Sequence, residues 1–276
     1  MAKITDLDRR AYFEKIKAYL ILARSLRRNE NELLRQIKDN PPDAALKKIT
    51  LSDDMLNLVS CYIAINGVSM TVLKVKNEEA LNDARKAMYK AVMYLEEVVS
   101  NYVDVAFSEY DEKIAEIESF DPNQRYLLVR KMGLAVDMLQ MAYGDNSKWR
   151  WTFVELEGRF AVVTKNIIDL RNALNNSSPD AEFYESTVYH LRLAKELLSR
   201  AASRYRDKYE LSTQQVLDFR TGILFLSALK RLHSVLADSE EAEEIKKKLT
   251  IWSTKLDADI KKQEEEKKKL NKLSQQ

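Results

Sequence analysis

The chain has 276 residues, 45 of them Lys or Arg and 43 Asp or Glu, for a formal net charge of +2. A balance this even leaves no whole-molecule field to draw in DNA or an anionic lipid surface, so any such binding must come from a local patch. Charged residues at 32% beside only 5 Gly and 4 Pro describe long helices with solvated faces and few turns.

MAKITDLDRRAYFEKIK has charges every few residues and no apolar stretch, so no secretory signal is expected there. The first helix is predicted from about Thr5 to Asp39. Tyr12, Ile16, Tyr19, Ala23, Leu26, Leu33 and Ile37 recur at alternating steps of three and four, apart from Glu30, and the helix stops at DNPPD. A second is expected to open near Ser52, with the serine hydroxyl as cap, and to reach about Lys76.

Asn77 caps a long segment, Glu78 to about Phe120, that would span about 60 Å if unbroken, with SNYVD as the place for a kink. Asp121 and Pro122 restart the chain as cap and first helical residue, and Gly144 offers a C-terminal stop. The next helix runs from Ser147 to about Asn175. Ser178 and Pro179 repeat the cap-then-proline signal for a helix to about Tyr209. Ser212 with Gln215 reads as a capping box for a helix to about Ala237, and Asp238 with Glu241 opens the last one.

No segment alternates with a period of two, so no sheet is expected. The predicted fold is all-α: a bundle or short superhelical array of about eight long antiparallel helices. Residues 1–260 form one helical domain with the NNSSPD loop near 175–180 as the candidate subdomain boundary, and 261–276 form a charged, frayed tail.

Trp149, Phe153, Leu156, Phe160, Val163, Ile167, Leu170 and Leu174 fall on one helical stripe, with Trp151, Val154, Gly158 and Val162 beside it. Periodic burial accounts for every one of these positions, so they are read as core in preference to an aromatic cage or a base-stacking platform. Gly67, Gly133, Gly158 and Gly222 sit inside predicted helices, where each costs about 1 kcal/mol relative to Ala. Close helix packing is the expected compensation.

The chemistry is mostly excluded by supply. One cysteine, Cys61, lies in the apolar run VSCYIAI and reads as a buried thiol in a reducing, cytoplasmic setting; with only His190 and His233 beside it, a conventional zinc site is not expected. Neither histidine has the Glu-x-x-His spacing of a di-iron bundle, and no phosphate-binding glycine loop is present, so no cofactor is expected. Ser227 and Lys230 match the Ser-x-x-Lys spacing of a serine nucleophile without the glycines of an oxyanion hole. Glu155 is expected to pair with Arg159 one turn on.

Two clusters are candidate binding surfaces. Arg24, Arg27, Arg28 and Arg35 lie along adjacent rows of the first helix; Arg200, Arg204, Arg206 and Lys208 lie beside Tyr205 and Tyr209. Interspersed acids weaken both as RNA sites. The expected function is a non-enzymatic scaffold or adaptor working through protein partners or self-association, with RNA binding by the arginine faces as the runner-up. A small-ligand or enzymatic pocket around Trp151, Glu155 and Arg159 comes third. No run approaches the eighteen or so unbroken apolar residues that suggest a membrane span.

Overall fold

The computed structural model describes residues 4–39, 41–144 and 147–273. Asn40 of the first predicted loop, Asp145 and Asn146 of YGDNS, and residues 1–3 and 274–276 lie outside them. Among the described residues the chain is all-α, with ten α-helices and no strand. The excess over eight comes from breaks in two of the long predicted segments.

α1 (Asp6–Gln36) starts from a capping box in which Thr5 and Asp8 bond each other's backbone amides. Its seam buries Tyr12, Ile16, Ala23, Leu26 and, at the position that broke the apolar pattern, Glu30. α2 (Ala44–Val72) begins about two turns earlier than predicted, after Asp43. Ser52 is therefore an interior residue: it is fully buried and its hydroxyl donates to the carbonyl of Ala91 at 2.8 Å.

α3 (Glu78–Val99) is capped by Asn77 as expected, and ends at Ser100 with φ 92. The predicted 60 Å rod is thus cut at SNYVD, and after a gap it resumes as a 3-10 turn (Phe107–Tyr110) and a short α4 (Asp111–Ala115). α5 (Pro122–Tyr143) has the predicted cap at Asp121, completed into a box by Gln124, and stops at Gly144 with φ 81.

The aromatic segment also divides. α6 (Arg150–Asn166) and α7 (Leu170–Asn175) are separated at Ile167, and Asp169 caps the second piece. Phe153, Leu156, Phe160, Val163, Ile167 and Leu170 are buried as predicted. The ends of the stripe are not: Trp149 is half-buried and Leu174 exposed. Residues 176–183 are turns, so the Ser178-Pro179 signal opens no helix and α8 (Tyr184–Lys208) begins later.

A π-helical turn (Tyr209–Thr213) follows, Gln214 is left-handed with φ 51, and α9 (Val216–Val235) starts after Gln215. The Ser212 capping box is therefore not formed; the Thr213 hydroxyl holds this corner by bonding Asp218 at 2.6 Å. α10 (Ser239–Leu273) stays helical through the segment expected to fray.

The chain divides into two compact units, and the division falls inside α8 at His190 and Leu191, not at 175–180. In the first unit, formed by the described residues up to Asn101 together with Phe107–His190, α2 is central and packs on α1, α3 and α5, while α6 packs on α3 and α5. This explains why α2 is apolar nearly all round. Among the described residues it is the one helix long and apolar enough to cross a membrane, and half of its most apolar stretch is buried within the protein. The second unit comprises Tyr102–Ala106 and the residues from Leu191 on, with α9 packed on α10.

Candidate functional site

α1 and α3 both lie on α2 and are bridged by side-chain bonds. At one end Asn77 donates to the Tyr12 hydroxyl at 2.9 Å; at the other, Lys90 and Tyr94 both donate to Glu30 Oε1 at 2.7 Å. Between them lies a groove of about 500 Å³. From Tyr12 to Arg27 it is about 22 Å long at ~1.5 Å per residue, or four helical turns.

The floor is apolar. Ile16 and Ala23 of α1 and Ile65 of α2 are buried there, and Tyr62 lies flat enough for the Arg27 guanidinium to sit 5.6 Å from its ring centre. Phe13 stands at the lip and is 62% exposed, with Leu20 behind it. Arg27 crosses the groove, donating to the Tyr62 hydroxyl at 2.5 Å and to Asp83 at 3.3 Å. Burial pushes the Tyr62 phenol above its usual range, with Arg27 opposing it. Arg24 on the α1 wall and Glu79 on the α3 wall line the same groove, and neither has an ion-pair partner among the described residues.

Outside the α1 wall runs a basic stripe. Arg10, Lys17 and Arg24 are seven residues apart, Arg28 and Arg35 are again seven apart, and these spacings put all five on one helical face. All are exposed, and none has an ion-pair partner among the described residues. Of the four arginines nominated on this helix, Arg28 and Arg35 thus belong to a solvent-facing row, Arg27 to the groove, and Arg24 to both. The sequence reading missed Phe13, Tyr62, Glu79 and Asp83. Phe13 beside a complete apolar stripe was the available signal; the α3 acids carried none, since only tertiary packing brings them opposite α1.

The other cluster is more internally engaged. Arg206 bonds Glu210 at 2.9 Å and lies 5.1 Å from the Trp252 ring; Lys208 bonds Asp218 at 2.8 Å. Tyr205 stacks on Phe225, and Tyr209 stacks on Phe219 while donating to Asp259 at 3.0 Å. Arg204 is half-buried, and Arg200 is exposed.

The pocket expected near Trp151 is organised differently from its sequence reading. Arg159 pairs not with Glu155 but with Glu96 of α3, through two bonds of 2.8 and 2.5 Å, which hold its pKa above the ordinary value. Glu155 is exposed, and Trp151 carries the guanidinium of Arg150 at 4.9 Å.

Ser227 and Lys230 share α9, with no hydrogen bond between them among the described residues. His233, Asp238 and Glu241 bring potential metal-ligand atoms within 4.8 Å of one another. Asp238 is already engaged, however: Lys195 donates to its Oδ2 at 2.5 Å and His233 Nδ1 lies 2.9 Å from the same oxygen. Burial acts to raise the Asp238 pKa, but these partners outweigh it and hold the carboxylate below its ordinary range.

Residues 8–260 match the TP0443 family, and the chain belongs to that family. No curated protein and no solved structure matches it.

Proposed function

We propose that the chain is a non-enzymatic helical adaptor that docks an amphipathic helix of a protein partner into the groove between α1 and α3. The supporting observation is the combination of a groove four turns long with a buried apolar floor, an exposed Phe13 at its lip, and Arg24 and Glu79 on opposite walls without ion-pair partners among the described residues. Recognition of this kind reads apolar anchors spaced i, i+3 or i+4, and i+7 on the incoming helix. The flanking charge sets the rest of its chemistry. α1 carries eight basic and five acidic residues, and Glu30 among the acids is buried. The partner helix is therefore acidic overall, with a carboxylate facing Arg24.

The test places a photo-crosslinking residue at Phe13 in the source cells and at Arg200 as a control. The expected result is crosslinking from position 13 to an acidic amphipathic helix, lost on Leu20→Asp. Crosslinking to a second copy of the chain, or equal yield from both positions, overturns the reading.

The basic stripe favours RNA as a second reading. Five cations on one face, without ion-pair partners among the described residues, suit a phosphate backbone, and affinity would then fall steeply with salt. A gel shift at low salt that is abolished by Arg28→Glu supports it; no shift removes it.

A further inference from the structure

A second, larger opening lies in the first unit between the start of α5 and the turn leading into α8. Its volume is about 950 Å³, and it is open to solvent. Four aromatic side chains line it: Tyr126 from α5, and Phe183, Tyr184 and Tyr189 from the turn and first turns of α8. Tyr126 and Tyr189 stack at 6.1 Å between centres with an interplanar angle of 24°. Tyr189 nevertheless remains 47% exposed.

Tyr126, Phe183 and Tyr184 are half-buried, so none of the four rings is packed away as core. Its charges are also divided by wall. Glu182 and Glu185 stand on the α8 side and Arg130 on the α5 side; all three are exposed, without an ion-pair partner among the described residues.

We infer that this cleft binds a peptide segment presenting an arginine side chain. A guanidinium satisfies both features of the α8 wall at once. Its plane stacks on tyrosine and phenylalanine rings, and its fork of donors fits a carboxylate bidentately. Two glutamates disfavour an anionic ligand, and the single Arg130 meets the peptide's own carbonyl oxygens. The volume exceeds that of one side chain, so flanking peptide fills the remainder. This site shares no residue with the groove between α1 and α3.

The test follows aromatic ring resonances of the full chain by NMR during titration with N-acetyl-arginine amide, using N-acetyl-citrulline amide as the neutral isostere. The arginine compound should shift the Tyr126, Tyr184 and Tyr189 signals and bind about tenfold more tightly than citrulline, the difference expected from one cation-π contact and one charged pair. Glu182→Gln together with Glu185→Gln should remove that preference while leaving the ring spectrum folded. Equal binding of citrulline overturns the inference, as does tighter binding of N-acetyl-glutamate amide or of a neutral oligosaccharide. An absence of shifts at saturating arginine compound does so too.

Discussion

Glu30 of α1 and Tyr94 of α3 share a hydrogen bond of 2.7 Å, although they are sixty-four residues apart and Glu30 is only 6% exposed. Lys90 donates to the same carboxylate oxygen. Burial first, and Glu30 second, push the Tyr94 phenol well above its usual range, so it remains a donor at any physiological pH. This cluster closes one end of the groove. Glu30→Ala strands a buried hydroxyl and should cost about 2–4 kcal/mol in urea denaturation. Tyr94→Phe leaves Glu30 still bonded to Lys90 and should cost about 1 kcal/mol. If Glu30→Ala is neutral, α1 is not held at that end by this bond.

Two glycines inside helices should respond in opposite directions. A Cβ on Gly222 would meet the carbonyl oxygen of Ala202 at 2.9 Å, whereas one on Gly67 would meet nothing within 4 Å. Gly222→Ala should therefore destabilise by about 1–3 kcal/mol through overpacking. Gly67→Ala should stabilise by about 0.5–1 kcal/mol through helix propensity. Thermal melts read both. The expectation that every helical glycine marks tight packing fails at Gly67, where an open surface leaves the propensity cost uncompensated.

His190 gives the fold a defined acid sensitivity. Its ring nitrogen Nε2 bonds the Thr164 carbonyl at 2.9 Å, a carbonyl near the end of α6, and burial drops its pKa to about 4 against the ordinary 6.5. Arg125 adds repulsion; it too is buried, and it donates to the carbonyls of Ile117, Phe120 and Ile167. Between these two values the unfolded chain holds the extra proton and the folded chain does not. Stability from this residue is thus complete above about pH 6.5 and declines as pH falls toward 4, by up to about 3 kcal/mol. His190→Gln should flatten the difference between denaturation curves taken at the two ends of that window, and an unchanged slope would contradict the burial.

The three tryptophans should divide by environment. Trp252 is 4% exposed, packed on Phe219 with Arg206 and Lys248 over its ring, while Trp149 and Trp151 are half-buried. In a chain carrying Trp149→Phe and Trp151→Phe, the remaining emission should be blue-shifted and resist iodide. The wild type should show a quenchable fraction, from two rings that lie within reach of solvent and of the cations of Arg85, Lys148 and Arg150. Ready quenching of Trp252 alone would place it outside the core.

Helical class, with no strand among the described residues, and the buried centre of the aromatic stripe were legible in the sequence. They depend on local periodicity and on caps such as Asn77 and Asp121, whose hydrogen bonds reach only three residues. Helix breaks were less so. Ser52 and Ser212 look like caps from their neighbours alone, yet the first is drawn into the core by the carbonyl of Ala91 and the second is displaced by the bond between Thr213 and Asp218. The same limit governs the sites. Arg24 and Arg27 were visible as a cluster, but Asp83 faces Arg27 across fifty-six residues, and Glu96 takes Arg159 from its neighbour Glu155 across sixty-three. A sequence records which side chains share a helix face; which charge opposes which is decided only when separate helices pack, because Coulomb attraction and desolvation depend on distances that no spacing along the chain encodes.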